Sequence, residues 1–523
     1  MTFNSQGIIQ DIRTDFEKMI EFVTGEEART ATADHIERGL FKELIRLGAK
    51  LLTLFFAMRS QICSREEIET AEGEVMPYNR DSRRYYVSIF GKVPIYRPYF
   101  YKKGLGGRIL LDAELSLGDD SYSDMTREVC EYLGVYTVYH KDCDILERIL
   151  GLKLSTRVVE ENIAEDAVDV EAYYKQKPPP LPEDEAEIMV VQADGKGVPI
   201  VSETTTEPKT RLGKGEKRGR KKEAIVTTVY TIAANFRTAE DVIASLYGQK
   251  QAKASQKTAS QRVKPQNKHI WATLEGKDEA LSRLAKQVEL RMGGHIQHKV
   301  ALCDGCEPLQ DRIGRQFPDF VLFLDFIHAN EYLWDVGNSL MGENDPQRTD
   351  WVAHRTLQIL SGETRQVIDE FHLLAQESST TSTQRNQLTK TANYFERNLP
   401  YMDYSTCLAN GWPIASGVIE GACRHFVKDR CELSGMRWTK SGVESLLSLR
   451  AVAENDDWDA YHSYRKKQRH TRLYDSPHLN HIPLEEQVLC SNTLQSTSNL
   501  TDPSRCSLTT NRQSNCRDLP LAV

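Results

Sequence analysis

Four acidic residues stand where a chain can do chemistry. Asp194 follows the apolar run Ile188-Met-Val-Val-Gln-Ala and precedes Gly195, a pattern that predicts a short buried strand delivering a carboxylate at its carboxyl end. Leu302-Cys-Asp304-Gly305 and Leu324-Asp325-Phe-Ile-His328 repeat the arrangement after two further apolar runs. Glu420 sits in Ser416-Gly-Val-Ile-Glu-Gly-Ala-Cys-Arg-His-Phe-Val-Lys428, where α-helical spacing predicts an apolar stripe of Val418, Ala422 and Phe426 and a separate stripe of Glu420, Arg424 and Lys428. Carboxylates at the mouth of an open α/β sheet lie where such sheets place ligands, and as hard oxygen donors they suit Mg²⁺ or Mn²⁺. Each has a plainer reading too: an Asp-Gly after a strand is commonly only a turn, and a Glu-Arg-Lys ladder commonly only a solvated helix face.

The elements that must position these acids read as alternating strands and helices. Strands are predicted from Ile188 to Asp194, and at Ala224–Ala234, His269–Leu274, Lys299–Leu302 and Phe320–Leu324, with helices around Glu240–Tyr247, Asp278–Met292 and Glu307–Arg315. Residues 336–405 are helix-rich and polar, residues 406–467 carry Glu420 and a closing helix from Ser441 to Ala453, and residues 468–523, rich in Ser, Thr, Asn and Gln, are expected to be disordered. Upstream, residues 1–80 read as helical, with Ile36, Leu40, Leu44, Ile45, Leu51, Leu52 and Phe55 forming a structural or pairing layer. Residues 81–118 read as a β-hairpin turning at Gly91-Lys92, where Arg83, Arg84, Lys92, Arg97, Lys102 and Lys103 interleave with tyrosines; this suits a DNA backbone and equally suits wet strand faces. Residues 119–173 are helical with breaks near Gly134 and at Gly151–Thr156, a possible helix-turn-helix whose second helix, Arg157–Asp166, is acidic for a recognition helix. Consecutive prolines make residues 174–187 a linker.

A formal charge of -8 over 523 residues leaves polyanion binding to local patches. The strongest is Lys209–Lys222, which reads as a mobile basic loop beside Asp194, with Lys214, Lys217, Arg218, Arg220, Lys221 and Lys222 as phosphate contacts. Cysteines scattered mostly singly point to a reduced, cytoplasmic compartment, and no apolar run is long enough for a membrane span. Cys303 and Cys306 form a lone CxxC without the two further soft ligands of a zinc site, and no phosphate-binding GxxxxGK[ST] occurs.

The motifs Gln192-Ala-Asp-Gly-Lys-Gly-Val-Pro, Leu302-Cys-Asp-Gly, Leu324-Asp-Phe-Ile-His-Ala and Gly411-Trp-Pro-Ile-Ala-Ser-Gly-Val-Ile-Glu-Gly-Ala-Cys-Arg resemble those of bacterial insertion-sequence DDE transposases of the ISKra kind, in the Mutator-like branch. The resemblance covers residues 188–455 and extends to the hairpin from Tyr85 to Leu117. It implies an α/β chain with a ribonuclease-H-like catalytic core (first part 188–335), an all-helical insertion at 336–405 and an α+β amino-terminal DNA-binding region. By family sheet order Asp304 lies next to Asp194 and Asp325 one strand further, so Asp194, Asp304 and Glu420 become the implied metal ligands, with Asp325 and His328 alternative or supporting. The implied partners are double-stranded DNA, as terminal inverted repeats and target, and further copies of the chain on DNA; Arg424, Lys428 and Arg437 join the basic loop as candidate DNA contacts. A DNA-binding derivative without activity and a ribonuclease-H-type nuclease are the alternatives. One departure is that Lys102-Lys-Gly-Leu-Gly-Gly107 lacks the cysteine pair that often follows this hairpin in relatives.

Overall fold

Two helices, α1 (Ser5–Thr24) and α2 (Ala33–Ile62), open the chain as an antiparallel pair, with Phe22 packed against Gly39 and Lys50 paired with Asp15. The computed structural model describes residues 5–70, 73–201, 220–248, 263–342, 344–433 and 436–475. One face of α2 lies on a four-stranded antiparallel sheet of β1 (Glu67–Glu69), β2 (Val75–Ser88), β3 (Gly91–Lys102) and β4 (Gly106–Arg108), around Phe56, Val93, Ile95 and Leu117. The helical stretch therefore stops well before residue 80, and β2 begins ten residues ahead of Tyr85. Its polar run Tyr78-Asn-Arg-Asp-Ser-Arg-Arg hid a strand because a half-wet antiparallel sheet accepts charges on one face. The tight turn is Ile89-Phe90, since Ser88 pairs with Gly91, whose φ of 109° suits glycine.

Five helices follow: α3 (Leu110–Glu114), α4 (Asp124–Tyr136), α5 (Tyr139–Leu150), α6 (Thr156–Asp166) and α7 (Val170–Gln176). Gly134 does not break α4. It lets α6 approach, because a Cβ there would lie 2.8 Å from Ile163. Gly151, at φ 69°, ends α5 and Ser155 caps α6, so the expected helix-turn-helix exists as chain geometry. Its second helix buries Val159, Asn162, Ile163 and Asp166 and leaves Glu160, Glu161 and Glu165 outward, with Arg157 bonded to Glu161.

A second sheet holds β5 (Ile188–Ile200), β6 (Arg220–Ile232), β7 (Gln266–Thr273), β8 (His298–Cys303) and β9 (Val321–Leu324), in the order β7-β6-β5-β8-β9. β5, β8 and β9 are parallel neighbours, while β6 runs antiparallel between β5 and β7. Between these strands come α8 (Ala239–Tyr247), α9 (Lys277–Arg291) and α10 (Glu307–Gln316). One sheet face packs on α9 and α10 through Leu281, Leu284, Leu309 and Ile313. Against the other lie α11 (Phe326–Met341), α12 (Arg348–Leu360), α13 (Thr364–Gln376), α14 (Ser382–Asn398) and α15 (Tyr404–Ala409). The same face also carries the run α16 (Gly417–Gly421), a π-helical stretch Ala422–Lys428 and α17 (Asp429–Cys431), followed by α18 (Lys440–Glu454).

The last helix, α19 (Trp458–Tyr474), continues past residue 468, where disorder was expected; residues 476–523 lie outside the described part. Arg469 and Arg472 explain the extension, since they bond Asp124 and Asp169 of the amino-terminal half. No helix among the described residues is long and apolar enough to cross a membrane.

Candidate active site

Strand register brings three of the acids together. The β5–β8 ladder ends at Ala193 opposite Cys303, and the β8–β9 ladder at Cys303 opposite Leu324, so Asp194, Asp304 and Asp325 are the next residues on three adjacent parallel strands. At roughly 4.8 Å per strand, Asp304 stands between the other two. Asp194 is not at a strand end, however. β5 continues through Gly195 to Ile200, paired with β6 all the way, and Asp194 lies where β8 leaves off. A Cβ at Gly195 would meet Glu223 Oε1 at 2.3 Å, so the glycine leaves room for that side chain across the ladder.

Each carboxylate is aimed by a local bond. Asp194 accepts from the Gly195 amide at 2.6 Å, Asp304 from the Cys306 amide at 3.1 Å and Asp325 from the Ile327 amide at 2.8 Å, which also caps α11. Glu420 arrives from α16, held over the strand ends because the Ile419 amide donates to Oε1 of buried Gln192 at 3.1 Å. The Ser416 hydroxyl donates to Asp325 and lies 3.5 Å from Glu420 Oε1. Asp325, His328 and Glu420 offer ligand atoms that all lie within 4.8 Å of one another, a group that includes neither Asp194 nor Asp304, while burial and then the Asp194 carboxylate push the Cys423 thiol up.

The electrostatics follow from crowding. Burial, reinforced by Asp194, pushes the Asp304 carboxyl above its ordinary range, and burial with the nearby Asp325 does the same for Glu420. Burial disfavours charge on His328, yet Asp325, Glu331 and Asp304 outweigh it and raise its pKa. None of the four carboxylates has an arginine or lysine ion-pair partner among the described residues. Four hard oxygen groups with one histidine and surplus negative charge fit Mg²⁺ or Mn²⁺.

The candidate DNA contacts divide. Arg424 and Lys428 are exposed on the π-helical stretch, which replaces the expected regular α-helix: buried pairs Ala422-Cys423 and Phe426-Val427 alternate with exposed Arg424-His425 and Lys428-Asp429. That wider winding keeps both cations outward, while Val418, expected in the buried stripe, is only partly covered. Arg437 is exposed beside Trp438, whose backbone bonds Pro199 and Val201 at the far end of β5. Arg220, Lys221 and Lys222 belong to β6 rather than to a loop, drawn into the ladder opposite Ile200, Pro199 and Val198, and Lys221 pairs with Glu432. Lys214, Lys217 and Arg218 lie outside the described residues.

In the amino-terminal sheet, Arg84 and Arg97 turn inward to Asp112, which removes them from any surface contact. Arg83 and Lys92 stay exposed on the Tyr85 ring, at 4.3 and 4.0 Å.

Sequence reasoning missed Gln192 and Ser416 as positioning groups, and the aromatic wall over Gly305. There Tyr394 stacks on Tyr332 at 3.9 Å and lies so close that a Cβ at residue 305 would sit 2.3 Å from its hydroxyl oxygen. No spacing signal links residues so far apart in the chain. Cys303 is buried and Cys306 precedes α10, both as packing groups. No protein-family model matches the chain, and a search of curated proteins finds no match.

Proposed function

We propose that the chain is a metal-dependent phosphoryl transferase acting on DNA. Within that class the reading is a DDE transposase, built on a ribonuclease-H-like core with a helical insertion at 336–405 and resembling the insertion-sequence enzymes of the ISKra kind. The observation that supports it best is the row of Asp194, Asp304 and Asp325 on adjacent strands, closed by Glu420 and carrying no cationic partner.

In this reading Asp194, Asp304 and Glu420 hold Mg²⁺ or Mn²⁺, which when bound neutralises charge on the attacking and leaving oxygens of a phosphodiester. Asp325 orients Ser416 and Glu420, and His328, made more basic by its acidic neighbours, donates to a phosphate oxygen. Gln192 holds the Glu420 helix at the mouth. Arg424, Lys428 and Arg437 meet the DNA backbone, together with Lys214, Lys217, Arg218, Arg220, Lys221 and Lys222. The substrates are the terminal inverted repeats of an element and target DNA, bound by several copies of the chain in the cytoplasm. No covalent protein intermediate is involved.

The test is strand cleavage and joining on a duplex carrying the inverted repeats that flank the coding sequence. Wild type should nick and join in Mg²⁺, and Asp194→Asn should bind the same DNA without nicking it. Cleavage without joining would make the protein a nuclease instead, and binding without either reaction a transposase-derived DNA-binding protein.

A further inference from the structure

Helix α2 carries apolar side chains on two sides. Ala49, Leu52 and Phe56 face the four-stranded sheet. About 110° around the helix at 100° per residue, Phe41, Leu44, Leu51, Phe55, Met58 and Ile62 form a second stripe, each between 43 % (Met58) and 63 % (Ile62) exposed. Their spacing runs in steps of three and four residues, doubled once across Gly48, where the stripe skips a residue turned to Phe90. It covers about 32 Å of helix at 1.5 Å per residue.

Six side chains about half exposed leave on the order of 500–600 Å² of apolar surface, the upper end for a monomer. Two such stripes facing each other would bury roughly 1,000–1,200 Å² in all, the low end for a specific protein interface.

Two internal segments outside the described residues are poor in apolar side chains. Segment 202–219 has one large apolar residue, Leu212, and segment 249–262 has none. The polar positions of α2 mix signs, with Lys42 and Arg46 beside Glu43, unlike the uniformly basic face of a membrane-surface helix. A continuous stripe at three-four spacing is complementary to a copy of itself across a two-fold axis.

We propose that the α1–α2 hairpin is the site at which two copies of this chain pair, through the Phe41–Ile62 stripe, before any DNA is bound. This does not rest on the transposase reading, and its test contains neither DNA nor metal. Sedimentation of the full chain at tens of micromolar should return about twice 59.6 kDa. Leu44→Glu/Leu51→Glu/Met58→Glu should weaken self-association by roughly 100-fold or more while leaving the circular dichroism melt in place, because these side chains are about half exposed. On wild type alone, amide exchange in α2 should slow as protein concentration rises. A monomeric wild type, whether free or captured by anionic vesicles, or a triple variant that still sediments as a dimer, overturns the proposal, as does exchange in α2 that ignores concentration.

Discussion

Two places in this molecule gather buried charge, and they treat it oppositely. Where α4, α6 and α19 meet, Asp166 bonds both Arg127 and Arg465, and Asp124 bonds Arg465 and Arg469, so each of these acids has a guanidinium partner. At the mouth of the five-stranded sheet, Asp325 and Glu420 lie beside His328, and none of Asp194, Asp304, Asp325 and Glu420 has such a cation among the described residues. The first arrangement joins distant parts of the chain through arginine–carboxylate pairs. The second has no such pairs among the described residues: amides and a serine orient the carboxylates, which is how a protein builds a place for a cation.

The comparison breaks most sharply through Asp194. Asp194→Asn, or chelation of divalent ions in wild type, should lower strand cleavage by at least roughly 10³-fold, about 4 kcal/mol of barrier. The thermal melt should hold or rise, because a like charge has been removed; an active variant ends the metal reading. In the ionic network the same kind of change should act on stability. Arg127→Met leaves buried Asp166 short of a partner and should cost about 3–5 kcal/mol in chemical denaturation, without changing Mg²⁺ affinity in a calorimetric titration.

Within the mouth, Asp304→Asn should weaken Mg²⁺ binding more than the ~10–100-fold expected for Asp325→Asn, which loses a group that orients Ser416 and Glu420. The reverse order of the two variants would move the ligand role to Asp325.

Acidity separates the regions by sign. Asp304 and Glu420 bind protons more tightly folded than unfolded, so without metal their contribution favours folding at low pH and is lost as pH rises above the ordinary carboxylate value of about 4. Burial works against charge on Asp166 too, yet a hydrogen bond with Glu131 and the cations of Arg465 and Arg127 hold its pKa at about 2. Its contribution is present above about 3.9 and is lost as pH falls through 2. Melting temperature of metal-free Asp304→Asn/Glu420→Gln should therefore fall less than wild type between roughly pH 4 and 7, and both proteins should weaken together toward pH 2. The smallest effect belongs to Gln192→Ala. It removes one acceptor of the Ile419 amide, about 1 kcal/mol, and should lower Mg²⁺ affinity severalfold while the fold holds.

The existence of β5, β8 and β9 was readable because each opens as a continuous apolar run that meets an acid, while their order in the sheet came only from the resemblance. The β2 strand was not, since its charges face water and break the alternation that marks a buried strand. The end of β5 was misplaced for a related reason: an Asp-Gly pair reads as a turn, but pairing with β6 carries the strand through it. The π-helical winding around Arg424 and the inward turn of Arg84 and Arg97 leave no trace in residue spacing.

What the chain determined by itself is local: which residues form strands, which acids end or interrupt them, and how α2 comes to bear apolar side chains all along its length. Tertiary structure alone decided that Asp194, Asp304 and Asp325 share a row and that Glu420 closes over it, because register and helix docking depend on hydrogen bonds between residues hundreds of positions apart, such as Gln192 with Ile419. It also decided which side of α2 is covered and which is left open.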